Sequence, residues 1–250
     1  GVYTDMNATG GVITMSSFSS WGVPGDLSLK PEITAPGGNI YSTRTDGTYG
    51  LMSGTSMASP SAAGQAAVVA QYIRENGLAE KAGLTARALA QSLMMGTAVP
   101  IMDPDSDVEY SPRRQGSGLG NVENAVNSPA YVTIDGNDDG KVKVELGDDP
   151  DRTGEYTFDF TINNLSDKAL AYVLHAGINT MAVEEIEGEN YMSDTARVLS
   201  PKVTFDVEGG MSYLYDLNGD GAIDENDALV LLQVANGTHD ALSEADTAKY

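Results

Sequence analysis

One alanine-rich stretch constrains the fold of this 250-residue chain more than any other feature. Residues 57–76 carry small apolar side chains at helical spacing and are followed by Gly77, a residue type that commonly ends helices. They predict one long helix, narrow enough to be buried. Gly54–Pro60 places Ser56 at the entrance to this helix, where free N–H groups and the helix dipole favour a developing oxyanion. The stretch therefore predicts a nucleophilic serine at a helix N-terminus.

Two interpretations of Ser56 are open at this point. A serine hydroxyl is a poor nucleophile unless it is exposed, oriented and hydrogen-bonded to a base, and Gly54 allows the close backbone approach that this arrangement needs. In the alternative, Ser56 merely caps an alanine-rich core helix. Ala58 stands where a lipase-type nucleophile elbow requires a second glycine, so that class is excluded. Pro60 is expected to be tolerated because it falls in the first helical turn.

The rest of residues 1–130 shows short strands alternating with helices, which indicates an α/β fold. Val12–Met15 and Gly38–Ser42 are short β-prone runs separated by proline and glycine. A second helix is predicted to begin after Thr85 as its N-cap. Its apolar face has helical spacing and comprises Ala86, Leu89, Ala90, Leu93 and Met94.

Residues 131–207 change to a strand pattern. Apolar and polar side chains alternate from Tyr156 to Ile162, as in a half-buried strand. The predicted strands are Tyr131–Ile134, Lys141–Leu146, Glu155–Ile162, Leu170–Leu174 and Lys202–Val207. Strands at such short spacing predict an all-β sandwich, although five or six are fewer than the usual seven.

The formal net charge of -22 lies almost wholly in the second part of the chain. Residues 1–100 hold six acidic and five basic side chains, whereas residues 101–250 hold 30 acidic and nine basic ones, a net charge of -21. Such a surface repels nucleic acid and anionic membranes and favours divalent cations, although it also serves solubility alone. The absence of cysteine excludes disulfides and thiolate metal sites.

Three further motifs accompany the serine motif. Phe18–Gly22, Lys30–Gly37, Gly54–Pro60 and Ser111–Gly118 resemble, in this order, the final third of subtilisin-family serine peptidases. The last motif resembles the end of the catalytic domain in the cell-envelope branch, the lactocepin and C5a-peptidase-like enzymes. The resemblance implies that residues 1–130 are the C-terminal part of a subtilisin-like catalytic domain. It also implies a Ser-His-Asp triad, in the chain order Asp, His, Ser, with Ser56 as nucleophile.

The other members of that triad have no counterpart in this sequence. The only histidines, His175 and His239, follow Ser56 and lie in segments unlike the peptidase, so we interpret them as surface or packing residues. The family's oxyanion asparagine also has no match, since neither Asn7 nor Asn39 lies in a similar motif. The chain is therefore expected to be a fragment that is inactive alone.

The strand-rich segment 131–207 resembles the fibronectin-type-III-like domain that follows the catalytic domain in the same enzymes. Its Asp135–Gly140 run imitates the opening of a calcium loop. Lys143 and Leu146 stand at the ninth and twelfth positions of that loop, however, and neither can complete a cation cage. This run is predicted to be a hairpin turn.

Residues 208–250 form a separate acidic, EF-hand-like α unit in this interpretation. Asp216–Asp227 follows the EF-hand spacing and predicts a Ca²⁺ site, with Gly221 at the sharp turn. The predicted ligands are side chains of Asp216, Asn218, Asp220, Asp224 and Asp227 and the backbone carbonyl of Ala222. With the following helix, the unit resembles the first repeat of a dockerin, which implies a cohesin partner. The single dockerin-like repeat leads to the expectation that the C-terminus of the chain is a cut.

Three functions are consistent with these motifs. The first is a secreted or cell-wall-associated subtilisin-like endopeptidase of a Gram-positive bacterium that cleaves protein or peptide substrates through Ser56. The second is a dockerin-type attachment module that binds a cohesin. The third is a catalytically inactive subtilisin homologue. The peptidase motifs cover far more of the chain, so the enzyme is favoured.

Overall fold

The computed structural model describes residues 2–4, 13–22, 28–172 and 178–199. The chain divides into two compact units, of which the first comprises Gly1–Asp167 and Asn179–Leu199 and the second Lys168–Ile178 and Ser200–Tyr250. All helices of the described residues belong to the first unit. None of them has the length and apolar character needed to cross a bilayer.

The long helix predicted from the alanine-rich stretch is confirmed, but the expectation that it is buried is wrong, because only Ala58, Val69 and Ile73 of its residues are buried. It begins at Thr55, two residues earlier than expected, and ends at Glu75, with Gly77 in the left-handed conformation at φ 62°. The predicted N-cap of the second long helix is also confirmed, because Thr85 Oγ1 accepts a hydrogen bond from Ala88 N at 3.1 Å. The helices are α1 (Thr55–Glu75), α2 (Leu78–Ala82), α3 (Ala86–Gly96), α4 (Pro112–Gln115) and α5 (Val122–Asn127).

The main core lies where α1, α3 and α5 pack together. Leu89, Ala90 and Leu93 on the predicted apolar face of α3 are buried, and Ala86 and Met94 pack at the edge of the same cluster. The other buried members of the cluster are Val69, Ile73, Ala125 and Tyr131. Burying this face supplies most of the stability of such helices, because helical propensity alone is weak.

The strands of the described residues are short and form five small sheets. They are β1 (Val2–Thr4), β2 (Thr14–Met15), β3 (Ala35–Pro36), β4 (Ile40–Thr43), β5 (Tyr49–Met52), β6 (Met102–Asp103), β7 (Val108–Glu109), β8 (Ala130–Ile134), β9 (Phe160–Asn164), β10 (Ile178–Ile186) and β11 (Glu189–Leu199). One sheet has the order β2-β1-β3, with β1 antiparallel to β2 and parallel to β3. The others pair β4 with β5, β6 with β7, β8 with β9 and β10 with β11. Strands and helices therefore alternate through residue 130, as expected of an α/β region.

The strand predictions for residues 131–207 are only partly correct. Tyr131–Ile134 lies in β8, but Lys141–Leu146 forms no strand and Glu155–Ile162 is paired only from Phe160 onward. Leu170–Tyr172 is also unpaired, and Lys202–Val207 lies outside the described residues. The sequence does not predict strands β10 and β11, since Met181, Ala182 and Val183 interrupt the alternation that marks a half-buried strand.

Side chains take the place of a strand partner for Lys141–Leu146. The Asn137 side-chain amide donates to the carbonyl of Lys141 at 2.8 Å. This carbonyl therefore accepts from a side chain and not from the backbone N–H of a neighbouring strand. Asp135–Gly140 is a turn as predicted, although β8 pairs with β9 and not with the segment directly after the turn. Gly140, at φ 78°, lies against α3, where an added Cβ would be 2.1 Å from the carbonyl oxygen of Ala88.

Strand β8 packs against α3. The buried Ser92 hydroxyl donates to the carbonyl of Val132 at 2.6 Å and accepts from its N–H at 3.1 Å. The Tyr131 hydroxyl donates to the carbonyl of Ala82 at 3.2 Å. These hydrogen bonds join the start of the predicted sandwich segment to the helical core within the first unit. The boundaries at 130/131 and 207/208, and the sandwich itself, stay predictions.

Candidate active site

Ser56 is exposed and occupies the second position of α1. The N-cap is Gly54, and no side chain caps the helix, so the interpretation of Ser56 as a mere cap is wrong. Gly54 has φ 155° and ψ 167°, a conformation that is essentially restricted to glycine. The first N–H groups of a helix have no intrahelical acceptor. The hydroxyl of Ser56 therefore stands beside free backbone donors at the positive end of a 21-residue helix.

Small side chains bring α1 close to β3. Ala35 of β3 and Ala58 of α1 are both buried and form one apolar cluster, against which Ala62 packs. A larger residue at either buried position would separate the strand from the helix. The alanine content of the motif thus sets the distance between β3 and the serine-bearing turn.

Pro60 lies beyond the first turn of α1. The helix begins at Thr55, so Pro60 is its sixth residue, and the expectation of a first-turn proline is wrong. Proline has no N–H, and the Ser56 carbonyl four residues earlier consequently lacks its usual helical donor. The earlier helix start explains the difference, because it places two more residues ahead of the proline.

A hairpin leads directly into the serine motif. Strands β4 and β5 pair in antiparallel register, with Ile40 opposite Met52 and Thr43 opposite Tyr49. Tyr41 and Tyr49 stack with ring centroids 5.7 Å apart, and both rings are exposed. The hairpin presents apolar surface to solvent immediately before Ser56.

The structure brings the three remaining motifs together. The Arg114 guanidinium lies 5.5 Å from the ring centroid of Trp21 and 5.1 Å from that of Tyr110. In addition, Gly22 N donates to the Arg113 carbonyl at 2.8 Å, which joins the first motif to the last. Such cation–π contacts strengthen as they are desolvated, and Arg114 is buried. Ser111–Gly118 therefore holds Phe18–Gly22 in place.

The same motif also fastens the segment that leads to β3. Ser117 N donates to the Glu32 carbonyl at 3.0 Å, and Thr34 Oγ1 donates to the Gln115 carbonyl at 2.8 Å. Gly116, at φ 66°, approaches the backbone so closely that a Cβ would lie 2.4 Å from the carbonyl carbon of Glu32. The motif thus connects to Ser56 indirectly, through β3 and Ala35.

Gln115 forms the buried centre of this arrangement. Its Oε1 accepts from Ile101 N at 2.7 Å, and its Nε2 donates to the carbonyls of Tyr110 at 2.6 Å and Ile101 at 3.3 Å. The side chain is 2% exposed, so these backbone groups have no water to replace it. The family resemblance marks this motif in the sequence but gives no role to Gln115, because the backbone groups that Gln115 contacts lie in irregular segments, one of them 14 residues away.

Comparison with known proteins identifies the region that carries these motifs. Residues 5–118 match the model of the subtilase family, Peptidase S8. Because of this similarity, residues 5–118 are called the subtilase region. The chain is 39% identical over 180 residues to the PII-type proteinase of Lacticaseibacillus paracasei, an alignment that covers 68% of this chain and 9% of that protein.

Two further relatives agree with this assignment. The PI-type proteinase of Lactococcus lactis subsp. cremoris is 37% identical over 68% of this chain and 9% of its own length. The C5a peptidase of Streptococcus pyogenes is 30% identical over 77% of this chain and 15% of its own length. The chain thus spans less than a sixth of each of these curated relatives. A solved structure, the prenylagaramide maturation protease PagA, matches with a TM-score of 0.33 at 27% identity, covering 50% of this chain and 40% of that one.

Glu32, in the subtilase region, is surrounded by three lysines, two of which follow that region in the sequence. Its carboxylate pairs with Lys30, with Lys143 at 3.5 Å and with Lys141 at 3.7 Å. Burial by itself raises the pKa of Glu32, but the hydrogen bond and charge of Lys30 and the charges of Lys143 and Lys141 outweigh it. The net result is a pKa below the ordinary value of this carboxyl, so the ion-pair cluster is formed at neutral pH.

Several residues singled out from the sequence lie outside the described residues. They are His175, His239 and Asn7, together with the Asp216–Asp227 loop and its predicted ligands. Within the described part of the chain, no histidine occurs and no side chain hydrogen-bonds to the Ser56 hydroxyl. The same part contains no group of three acidic, histidine or cysteine side chains that could hold a metal ion. Asn39 is among the residues that the structure describes, and its N–H donates to the hydroxyl of Ser53, three residues before Ser56.

Proposed function

We propose that this chain belongs to a subtilisin-like serine endopeptidase that hydrolyses peptide bonds through an acyl-enzyme at Ser56. The observation that carries the proposal is the exposed, non-capping Ser56 on a glycine-restricted turn at the start of α1. The subtilase match to residues 5–118 supports it, as do the proteinase and C5a peptidase relatives. The histidine and aspartate of the triad come from outside these 250 residues, since no histidine precedes Ser56.

The residues described here supply the nucleophile and part of the electrostatic environment. Ser56 Oγ attacks the substrate carbonyl as its proton passes to the general base, and the resulting oxyanion is stabilised by backbone N–H groups of the first helical turn. Collapse of this intermediate expels the amine, which takes up a proton, and leaves an ester at Ser56. Water then hydrolyses the ester. Without the base, the Ser56 proton has no acceptor, so residues 1–250 alone are expected to be inactive.

A serine-directed fluorophosphonate probe tests this function in the full-length protein. We expect covalent labelling of the wild type and complete loss of labelling in Ser56→Ala. Ser59→Ala is the matched control, because Ser59 is also exposed and lies one turn further along the same helix. Labelling that survives Ser56→Ala, or a folded wild type that does not label, would reject Ser56 as an active nucleophile and favour an inactive homologue.

The proposed location is extracellular or on the surface of a Gram-positive bacterium, and the proposed substrates are proteins or peptides. An acidic, cysteine-free composition is compatible with this environment. Relatives from Lactococcus and Streptococcus support the same assignment. Treatment of intact cells of the source organism with an external protease, followed by cell fractionation, measures whether the protein is exposed at the surface or released.

We also propose that residues 131–207 form a fibronectin-type-III-like sandwich. Strands β8 and β9 present apolar side chains to an open groove of about 440 Å³. This groove is lined by Val132, Ile134, Val142, Val144, Leu146, Phe158, Phe160 and Ile162 and by the Lys143 side chain. An apolar sheet face of this kind is what a second sheet would cover in a sandwich.

Residues 208–250 are proposed to be a dockerin-like Ca²⁺ unit, and attachment to a cohesin is the second candidate function. The EF-hand spacing of Asp216–Asp227 supports this proposal. Calorimetric titration with Ca²⁺ should give one site whose affinity falls by at least about tenfold in Asp220→Ala, since a first-sphere carboxylate is lost. Asp138→Ala, in the turn that cannot complete a cation cage, serves as control. Equal affinities of the wild type and Asp220→Ala would contradict the assignment.

A further inference from the structure

A tight turn holds the segment that leads into Ser56. Asn39 N donates to Ser53 Oγ at 2.8 Å, and Ser53 Oγ donates in turn to Asn39 Oδ1 at 3.4 Å. Asn39 is left-handed, with φ 52°, a conformation that asparagine tolerates better than most residues. Ser53 lies three residues before Ser56 and has no helical hydrogen bonds of its own. The two residues therefore exchange a pair of hydrogen bonds immediately upstream of the nucleophile.

A third hydrogen bond from the same turn acts on the next residue. Gly54 N donates to the Gly37 carbonyl at 2.8 Å. The Gly54 carbonyl then accepts from Met57 N at 3.1 Å and from Ala58 N at 3.3 Å, so α1 begins on this peptide group. Any displacement of residues 53–54 is consequently passed to the first turn of α1, which carries Ser56.

Packing on Ala35 holds α1 at Ala58, whereas residues 53–56 are themselves exposed or half-buried. Asn39, Ser53 and Ser56 are all exposed, and Ala58 is the nearest buried residue of the helix. Among the described residues, the hydroxyl of Ser56 has no hydrogen-bond partner that could orient it. Hydrogen bonds from the Gly37–Asn39 turn therefore restrain residues 53 and 54, which precede the packed part of the helix.

We infer that Asn39 and Ser53 are positioning residues for Ser56, an inference that rests on the proposed function. Neither residue touches the reacting atoms; each acts through the Gly54 peptide. Nucleophilic attack requires reacting atoms near 3 Å with aligned orbitals, and a misplacement of about 1 Å can cost two orders of magnitude in rate. Loss of the Asn39–Ser53 pair should therefore slow acylation of Ser56 without weakening the binding of the probe.

Two variants remove hydrogen bonds of the Asn39–Ser53 pair, and a third retains them. Ser53→Ala removes both hydrogen bonds, and Asn39→Gly removes the side-chain acceptor but keeps both the left-handed backbone and the N–H bond. Asn39→Asp retains an acceptor oxygen and tolerates the same φ. Asp46→Ala is the matched control, since it deletes two bonds from Thr48, at 3.0 and 2.6 Å, in the same hairpin but at its far end.

The experiment measures fluorophosphonate labelling of the full-length protein as a function of probe concentration. We expect the limiting labelling rate to fall about tenfold in Ser53→Ala and by about threefold in Asn39→Gly, with an unchanged half-saturating concentration. Asn39→Asp and Asp46→Ala should stay within about twofold of the wild type. Wild-type labelling rates in Ser53→Ala, including the case in which only its melting temperature falls, would overturn the inference.

Amide hydrogen exchange of the same variants separates this inference from the proposed function. Ser53→Ala should accelerate exchange at Gly54 and in the first turn of α1, whereas Asp46→Ala should not. If the wild type does not label, the peptidase function is rejected, and exchange still decides the positioning claim. Unchanged exchange at Gly54 and Met57 in Ser53→Ala would overturn it.

Discussion

At the scale of single residues, close backbone approaches explain why the Ser111–Gly118 motif needs its particular sequence. Ser111 caps α4 by accepting from Arg113 N at 3.3 Å, and Gln115 satisfies three backbone groups with one buried amide. Gly116 and Gly118 lie where the chain passes other backbone at contact distance, since a Cβ on either would be 2.4 Å from a neighbouring carbonyl carbon or oxygen. Gly116 and Gly118 are thus constrained by atoms that are distant in sequence, whereas Ser111 is constrained by its own helix.

Gly116→Ala should lower the free energy of unfolding by about 3 kcal/mol. The substitution combines a left-handed φ with a clash against the backbone of Glu32. Gly47→Ala is the matched control, because Gly47 has φ 78° but no atom within 4 Å of an added Cβ, so only about 1 kcal/mol is expected. Urea denaturation followed by fluorescence of Trp21, the single tryptophan of the chain, measures both. Equal losses would show that the close approach is not a constraint.

At the scale of elements, α3 connects the serine-bearing helix to the strand that follows the subtilase region. Its apolar face packs on α1 through Leu89 and Leu93, and its buried Ser92 exchanges two hydrogen bonds with Val132 of β8. A buried hydroxyl that both donates and accepts replaces a missing strand neighbour for one residue of β8. The orientation of α3 therefore affects both α1 and β8.

Thr85→Ala should destabilise the protein by about 1 kcal/mol. The Thr85 hydroxyl is the N-cap of α3 and accepts from Ala88 N at 3.1 Å. Thr85→Ser keeps this acceptor and should stay within a few tenths of the wild-type value. Thermal or urea denaturation monitored by far-ultraviolet circular dichroism gives the comparison. A serine variant as unstable as the alanine variant would indicate that the threonine methyl group matters more than the cap.

At the scale of the first unit, an ion-pair cluster joins segments more than 100 residues apart. Lys143 pairs with Glu32 and also donates to the carbonyl of Leu29 at 2.8 Å, while Glu145 accepts from Leu29 N at 3.1 Å. Because Lys143 is only 10% exposed and Glu32 26%, solvent screens these charges less than at a free surface. The cluster thus holds residues 141–145 against the segment that leads to β3.

Glu32→Gln should reduce stability by on the order of 1 kcal/mol at pH 7, and this difference should vanish in acid. The pKa of Glu32 is lowered in the folded state, so its ion pairs stabilise the protein above the ordinary value of 4.5. That contribution is lost as the pH falls through the lowered pKa. Urea denaturation from pH 7 to pH 3 measures the difference between wild type and variant.

Glu80→Gln is the control for the acid titration. Glu80 is exposed in α2 and forms no ion pair with a described residue. Its stability difference from the wild type should stay near zero throughout the pH range. A Glu32→Gln difference that persists at pH 3 would mean that packing, and not charge, accounts for the effect.

Features that depend on neighbouring residues could be predicted from the amino-acid sequence alone. Helix α1, the Thr85 cap and the left-handed Gly77 follow from local periodicity and backbone preference, and four short motifs were sufficient to indicate the subtilase family. The start of α1 was two residues in error, which misplaced Pro60, because helix ends depend on contacts such as that between Gly54 and Gly37.

The pairing of distant segments, in contrast, is set by the folded chain. Lys141–Leu146 has the composition of a strand, yet no ladder forms there: the Lys141 carbonyl accepts from the Asn137 side chain, and the Lys143 side chain donates to the carbonyl of the distant Leu29. Arg114 stacks on Trp21, and the Asn39–Ser53 pair fastens the turn before Ser56. Local pattern carries no information on such pairings, because their energies arise from contacts between residues that the chain brings together only on folding.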